Sequence, residues 1–197
     1  MKNPIVKNPV FFDKINSEDF LDWSEAAMYQ VGQWVVYGIH GVCRISQVQD
    51  RVVDRVSRRY LVLEPVNRGG SQYFVPMHNP AAMQKVSPLL SREELTALLS
   101  SERVHTDCWI GDENRRKQLY RELSGSGSRE KLAQTVYSLY LHRQRQKDCG
   151  KKLHICDENF LHDAEKILAG EIQAVLGYTN AEALEYLASR LQEQTQD

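Results

Sequence analysis

The residue types able to do chemistry gather in the C-terminal half of the chain. His154, Cys156, Glu158, His162 and Glu165 form a cluster of metal-ligating types, and Glu158, His162 and Glu165 share one helix face at i, i+4 and i+7. No second His–carboxylate pair closes a coordination shell, so the cluster reads as a solvated face, and no metal or other cofactor is expected. The sequence holds no G-x-x-x-x-G-K-S/T, no G-x-G-x-x-G after a strand, no H-E-x-x-H and no G-x-S-x-G. Gly125 to Ser128 is glycine-rich but carries no lysine placed for phosphates, and it reads as a linker between helices. His40, next to Gly41, reads as a corner residue bonding to backbone. No catalytic residue is assigned, and an enzyme is not expected.

What remains is electrostatic. From Glu113 to Lys152 there are eleven basic residues against four acidic ones, a net of +7. From Leu153 to the end there are nine acidic and two basic residues, a net of −7, so the formal charge of −1 hides two opposed blocks. A basic block on helical sequence is the footprint of a phosphate-backbone contact, and it is equally what a solvated helix face looks like. Trp109, at the start of the block, adds a large ring that could stack on a base.

These residues need a scaffold, and composition allows one. At 197 residues with 42% hydrophobic and 26% charged content, the chain is ordinary globular protein, long enough for one full domain or two small ones. It has no run of 18 apolar residues and no secretory leader pattern, so a soluble, cytoplasmic protein with no membrane association is expected. Cys43, Cys108, Cys149 and Cys156 show no C-x-x-C pair and read as reduced thiols.

Residues 1–27 read as an N-terminal extension, either an upstream or vector-derived segment or a tail that docks a partner through Phe20 and Trp23. From Tyr29 the period is that of strands. Gln33 to Tyr37, Val42 to Val48 with one slip in its alternation, Tyr60 to Leu63, Gln72 to Val75 and Met83 to Val86 are the expected strands, with a turn at Asn67 to Gly70. Five short strands with tight turns predict a small barrel of the SH3 or Tudor type over 28–88. After Pro88 the period is helical, and residues 89–197 predict an all-helical domain, making the fold class α+β. Ser91 with Glu94 forms a capping box, and Asp112 or Asn114 opens a second helix with Leu119, Tyr120 and Leu123 inward. Ser128 caps a third, with Leu132, Val136, Leu139 and Tyr140 on one stripe. Asp157 is expected to cap a fourth that ends at Gly177, and Thr179 with Glu182 opens a last one.

Val31-Gly32-x-x-Val35-Val36-Tyr37-Gly38-x-His40-Gly41-Val42, followed by Tyr60-Leu61-Val62-Leu63 and Val75-Pro76, resembles the RNA polymerase-interacting domain at the N-terminus of the CarD/CdnL family of bacterial transcription regulators. Leu123-Ser124-Gly125, the segment Leu132 to Arg143 and Ala164-Glu165-x-Ile167-Leu168-x-x-Glu171 are similar to that family's helical domain. The resemblance implies a Tudor-like domain that binds the RNA polymerase β subunit, joined to a helical domain that touches promoter DNA at the upstream edge of the bubble without sequence specificity. It implies stabilisation of the open complex by a protein located with the polymerase at the nucleoid, expected as a monomer. A polymerase-contacting arginine of the family matches Arg51, and a second falls on Phe74. The family's arginine pair matches Arg115-Arg116, but its DNA-wedging tryptophan position holds Glu113, and the nearest tryptophan is Trp109. Trp109 is therefore either the wedge or a core residue. The DNA-contacting set implied is Trp109, Arg115, Arg116, Lys117, Arg143 and Arg145. The alternative is a protein interaction adaptor without a DNA site, its basic helices paired with the acidic C-terminal block.

Overall fold

A computed structural model describes residues 29–66 and 70–192. The N-terminal extension with Phe20 and Trp23, and all of the Asn67–Gly70 turn but Gly70, lie outside the described residues.

An antiparallel five-stranded sheet comes first, in the order β4-β3-β2-β1-β5. Its strands are β1 (Trp34–Tyr37), β2 (Val42–Val53), β3 (Val56–Pro65), β4 (Tyr73–Pro76) and β5 (Val86–Pro88). β4 and β5 are its two edges, so the sheet does not close into the expected barrel. The fifth strand starts where the sequence reading ended it, because Asn79 caps a short helix α1 (Pro80–Met83), with Pro80 at its first position. The β2–β3 hairpin is much longer than expected, pairing from Cys43↔Pro65 to Val53↔Val56. Its turn is Asp54-Arg55, both with positive φ (52° and 63°). A two-residue turn of this hand matches strand twist but normally recruits Asn or Gly, which is why no turn signal stood out. The slip in the Val42–Val48 alternation is a bulge between Ile45 and Gln47, and beside it the Ser46 hydroxyl donates to the Val62 carbonyl at 3.2 Å. Cys43, Ile45, Leu61, Leu63 and Val75 fill one face of the sheet with Met77, Met83 and Val86.

Five further helices follow: α2 (Arg92–Leu99), α3 (Glu113–Ser126), α4 (Arg129–Asp148), α5 (Ile155–Leu176) and α6 (Asn180–Gln192). Their starts are those the capping residues announce. The Ser91 hydroxyl accepts the Glu94 N–H while the Glu94 carboxylate accepts the Ser91 N–H, and Thr179 with Glu182 repeats the device. Asp112 and Ser128 cap α3 and α4. For α5 the expectation was wrong. His154 is the cap, and Asp157 lies inside the first turn, 1% exposed. Helix α4 is the centre of a second core, its residues Leu132, Val136, Leu139 and Tyr140 packed with Phe160, Leu161, Leu168, Ile172, Leu187 and Leu191. All four cysteines are free thiols.

Sheet and helices meet at several points, among them Gly127 and Glu171. Gly127 has φ 65°, and a Cβ there would stand 3.3 Å from the Gln84 carbonyl, so only glycine fits without displacement. Deeper, the buried Glu171 of α5 accepts from the Leu90 N–H at 3.0 Å and from Arg129 Nε at 2.6 Å, and Arg129 also donates to the Pro88 carbonyl. One carboxylate thus ties the segment after β5 to α4 and α5.

Candidate functional site

Two surfaces carry the residues that the sequence nominates. On the sheet, Arg51 of β2 and Phe74 of β4 lie on the same face, and the Arg51 guanidinium sits 3.6 Å above the Phe74 ring. The register puts them there: Phe74 pairs with Val62, Val62 with Gln47, and Arg51 is four residues along the same strand as Gln47. In the orientation that satisfies both groups, the Gln49 amide oxygen accepts from Arg51 Nε and Nη2 at 2.8 and 3.1 Å. Both Arg51 and Phe74 are exposed. Two residues 23 positions apart in sequence therefore form one cationic–aromatic platform beside β4, an edge strand among the described residues.

The other surface is where α3, α4 and α5 meet. Arg116 does not point to solvent. It is 7% exposed, and its Nε and Nη2 donate to Asp157 at 3.0 and 3.1 Å while Nη1 donates to the carbonyls of Ile110 and Gly111 at 2.8 and 2.9 Å. Asp157 also accepts from the Tyr120 hydroxyl at 2.8 Å. Burial alone would raise the Asp157 carboxyl, but the hydrogen bonds from Arg116 and Tyr120 outweigh it and hold the group below the usual carboxylate range. Burial and the same carboxylate push the Tyr120 hydroxyl up. Arg116 is thus removed from the set of free cations, for a physical reason: a buried carboxylate consumes its fork.

Trp109 leans on this pair. The Arg116 guanidinium lies 4.3 Å from its ring centroid, and the His142 ring of α4 stacks on it at 3.6 Å with a 15° interplanar angle. Burial, helped by Arg116 and Arg145 and opposed by the carboxylates of Asp157 and Asp107, holds His142 below its ordinary value. Trp109 is partly buried against the helical core. Its ring is thus fixed in place, while part of it reaches the surface.

The remaining nominated cations are exposed. Arg115 is exposed, Lys117 pairs with Glu113 one turn away, Arg143 lies 4.7 Å over the Tyr140 ring and Arg145 binds Asp107 at 3.0 Å. Opposed charge blocks do pair, through Arg116–Asp157 and Arg129–Glu171. Most of the basic block stays outside those contacts.

The metal-type cluster is rearranged. Glu158 and His162 are exposed, and Glu165 accepts from the Tyr140 hydroxyl at 2.7 Å. His154 and Cys156 instead meet Glu113, from 41 residues upstream of His154. His40 stacks on Tyr37 at 5.1 Å and meets the Tyr73 ring at 4.0 Å, tilted by 31°. Asp157, His142 and Glu171 were missed as partners by sequence reasoning, and no local pattern marks them, since each acts on a residue distant in sequence.

Among the described residues no helix is long and apolar enough to cross a membrane. Residues 29–87 match the family model described as CarD-like/TRCF RID domain, a family of protein-interaction domains rather than enzymes. The match covers the sheet up to Ser87 in its last strand, Arg51 and Phe74 included, and it supports RNA polymerase as a partner and a role in transcription. The N-terminal sheet of this chain is a CarD-like RNA polymerase-interacting domain.

Proposed function

We propose that the chain is a non-enzymatic transcription regulator that holds RNA polymerase with its sheet and promoter DNA with its helices. The unit at 28–88 docks the β subunit, and the unit at 89–197 contacts DNA at the upstream edge of the bubble and lengthens the life of the open complex. The observation that carries this reading is the Arg51–Phe74 platform, set within the matched domain and beside a strand edge with no further strand on it among the described residues. An open edge offers main-chain pairing to a partner strand, and an exposed arginine already lying on a ring can exchange that ring for a partner carboxylate at small cost.

On the helical side, Arg115, Lys117, Arg143 and Arg145 are the nominated cations that remain exposed. Arg116 serves instead by holding Trp109, whose accessible part packs against an unstacked base step. Each arm is weak alone, and the covalent link between them raises the effective concentration of the second once the first is bound.

The test is affinity for isolated bacterial polymerase β subunit and, separately, for duplex DNA. Arg51→Glu is expected to weaken β binding by about tenfold or more and to leave DNA binding unchanged. DNA binding by the free protein is expected to be weak and to fall steeply with salt. Tight, sequence-specific binding to duplex DNA would contradict the reading. Charge reversal at Arg115 and Arg143 separates it from an adaptor without a DNA site, for which promoter opening would not change.

A further inference from the structure

The first turns of α3 and α5 present a side-chain group that neither docking surface uses. Glu113 opens α3, His154 caps α5 and Cys156 follows in its first turn, and one ligand atom from each lies within 4.8 Å of the other two. His154 Nδ1 is 3.0 Å from Cys156 Sγ, and His154 Nε2 is 4.0 Å from Glu113 Oε1. Capping sets this geometry. Nδ1 accepts the Cys156 N–H at 3.4 Å, which holds the imidazole beside the sulfur, and the thiol also reaches Asp157 Oδ1 at 3.5 Å.

We propose that Glu113, His154 and Cys156 are the ligands of a zinc-type divalent ion, with a fourth position open to solvent. One sulfur, one imidazole nitrogen and one carboxylate oxygen suit a borderline ion such as zinc or cobalt, whereas magnesium and calcium call for oxygen alone. Around a tetrahedral zinc the sulfur and nitrogen stand about 3.5 Å apart, so the His154–Cys156 contact opens by roughly half an ångström on binding. The Glu113 and His154 side chains are 44% and 49% exposed, which leaves an entry path. When the ion binds, the Cys156 S–H bond breaks, the proton leaves to solvent and the sulfur lone pair makes the metal bond. One neighbour competes with the ion: Lys117 holds the Glu113 carboxylate. Binding is therefore moderate. A bound ion would tie the starts of α3 and α5 together beside the Arg116–Asp157 pair, and so stiffen the seat of Trp109.

The experiment is titration of the full chain carrying Cys149→Ser, which removes the exposed thiol, with cobalt(II). One equivalent is expected to produce thiolate-to-cobalt charge-transfer absorption with the strong visible bands of tetrahedral cobalt, and zinc is expected to displace it. Adding Cys156→Ser should abolish the charge-transfer band. Glu113→Gln and His154→Ala should each weaken binding by about tenfold or more, since even outer-shell losses reach that size. Lys117→Ala keeps all three ligands and should tighten binding, so the proposal stays testable if a ligand variant unfolds. An absent charge-transfer band, a band that survives Cys156→Ser, or affinity indifferent to Lys117→Ala would overturn it.

Discussion

Arg51 and Arg116 both lie over aromatic rings, and they differ in burial and in partners. Arg51 covers Phe74 at 3.6 Å on an exposed sheet face, with Gln49 as its polar neighbour. Arg116 covers Trp109 at 4.3 Å, but it is buried, bidentate on Asp157 and bonded to two carbonyls. The first is a cation held ready at a surface, where its loss exposes little. The second is the centre of a desolvated network, where the loss of one partner strands the other. The same residue type and the same ring contact therefore mean a docking group in one region and a fastening in the other.

The largest effect that separates them is on stability. Arg116→Ala should destabilise the fold by about 3–5 kcal/mol, because Asp157 is left charged and buried. Arg51→Ala should cost less than about 1 kcal/mol in the same chemical denaturation experiment. Replacing both Arg116 and Asp157 with apolar residues of similar volume should cost clearly less than the two single changes together. Equal losses at Arg51 and Arg116 would break the contrast.

Acid gives the same contrast another edge. The folded Asp157 carboxyl lies below its ordinary range, so its contribution is complete above about pH 4 and is lost as pH falls through the folded value. Denaturation from pH 7 downward should show wild type losing stability in that window. Asp157→Asn should be less stable at neutral pH and should lose less on acidification.

Smaller effects concern the joints. Gly127→Ala should destabilise by about 1–2 kcal/mol, from left-handed backbone and the close Gln84 carbonyl. Ser91→Ala should cost about 1 kcal/mol through loss of the α2 cap. Both are read by thermal unfolding, and neither should alter β-subunit affinity as Arg51→Glu does.

Much of the fold was legible because its signals are local. Capping pairs such as Ser91–Glu94 and the stripe Leu132, Val136, Leu139 and Tyr140 lie within a few residues, and they placed α2 and α4. The Asp54-Arg55 turn was not legible, since its residues take a left-handed conformation that their types do not advertise. Tertiary pairing decided the rest. Asp157 looks like a cap by spacing, yet it faces Arg116 across 41 residues. Arg115-Arg116 look like a pair of DNA contacts, yet adjacent helical residues point about 100° apart, and one of the two enters the core. Arg51 and Phe74 could be named separately from the resemblance, but only strand register brings them together.

The most direct measurement is the lifetime of open complexes formed by bacterial polymerase holoenzyme on one promoter, with wild type, Arg51→Glu and the Arg115→Glu/Arg143→Glu double variant, each checked for unaltered unfolding. The account predicts a longer lifetime with wild type, abolished by Arg51→Glu and much reduced by the double variant. A lifetime that wild type leaves unchanged, or an extension that survives Arg51→Glu, would contradict it.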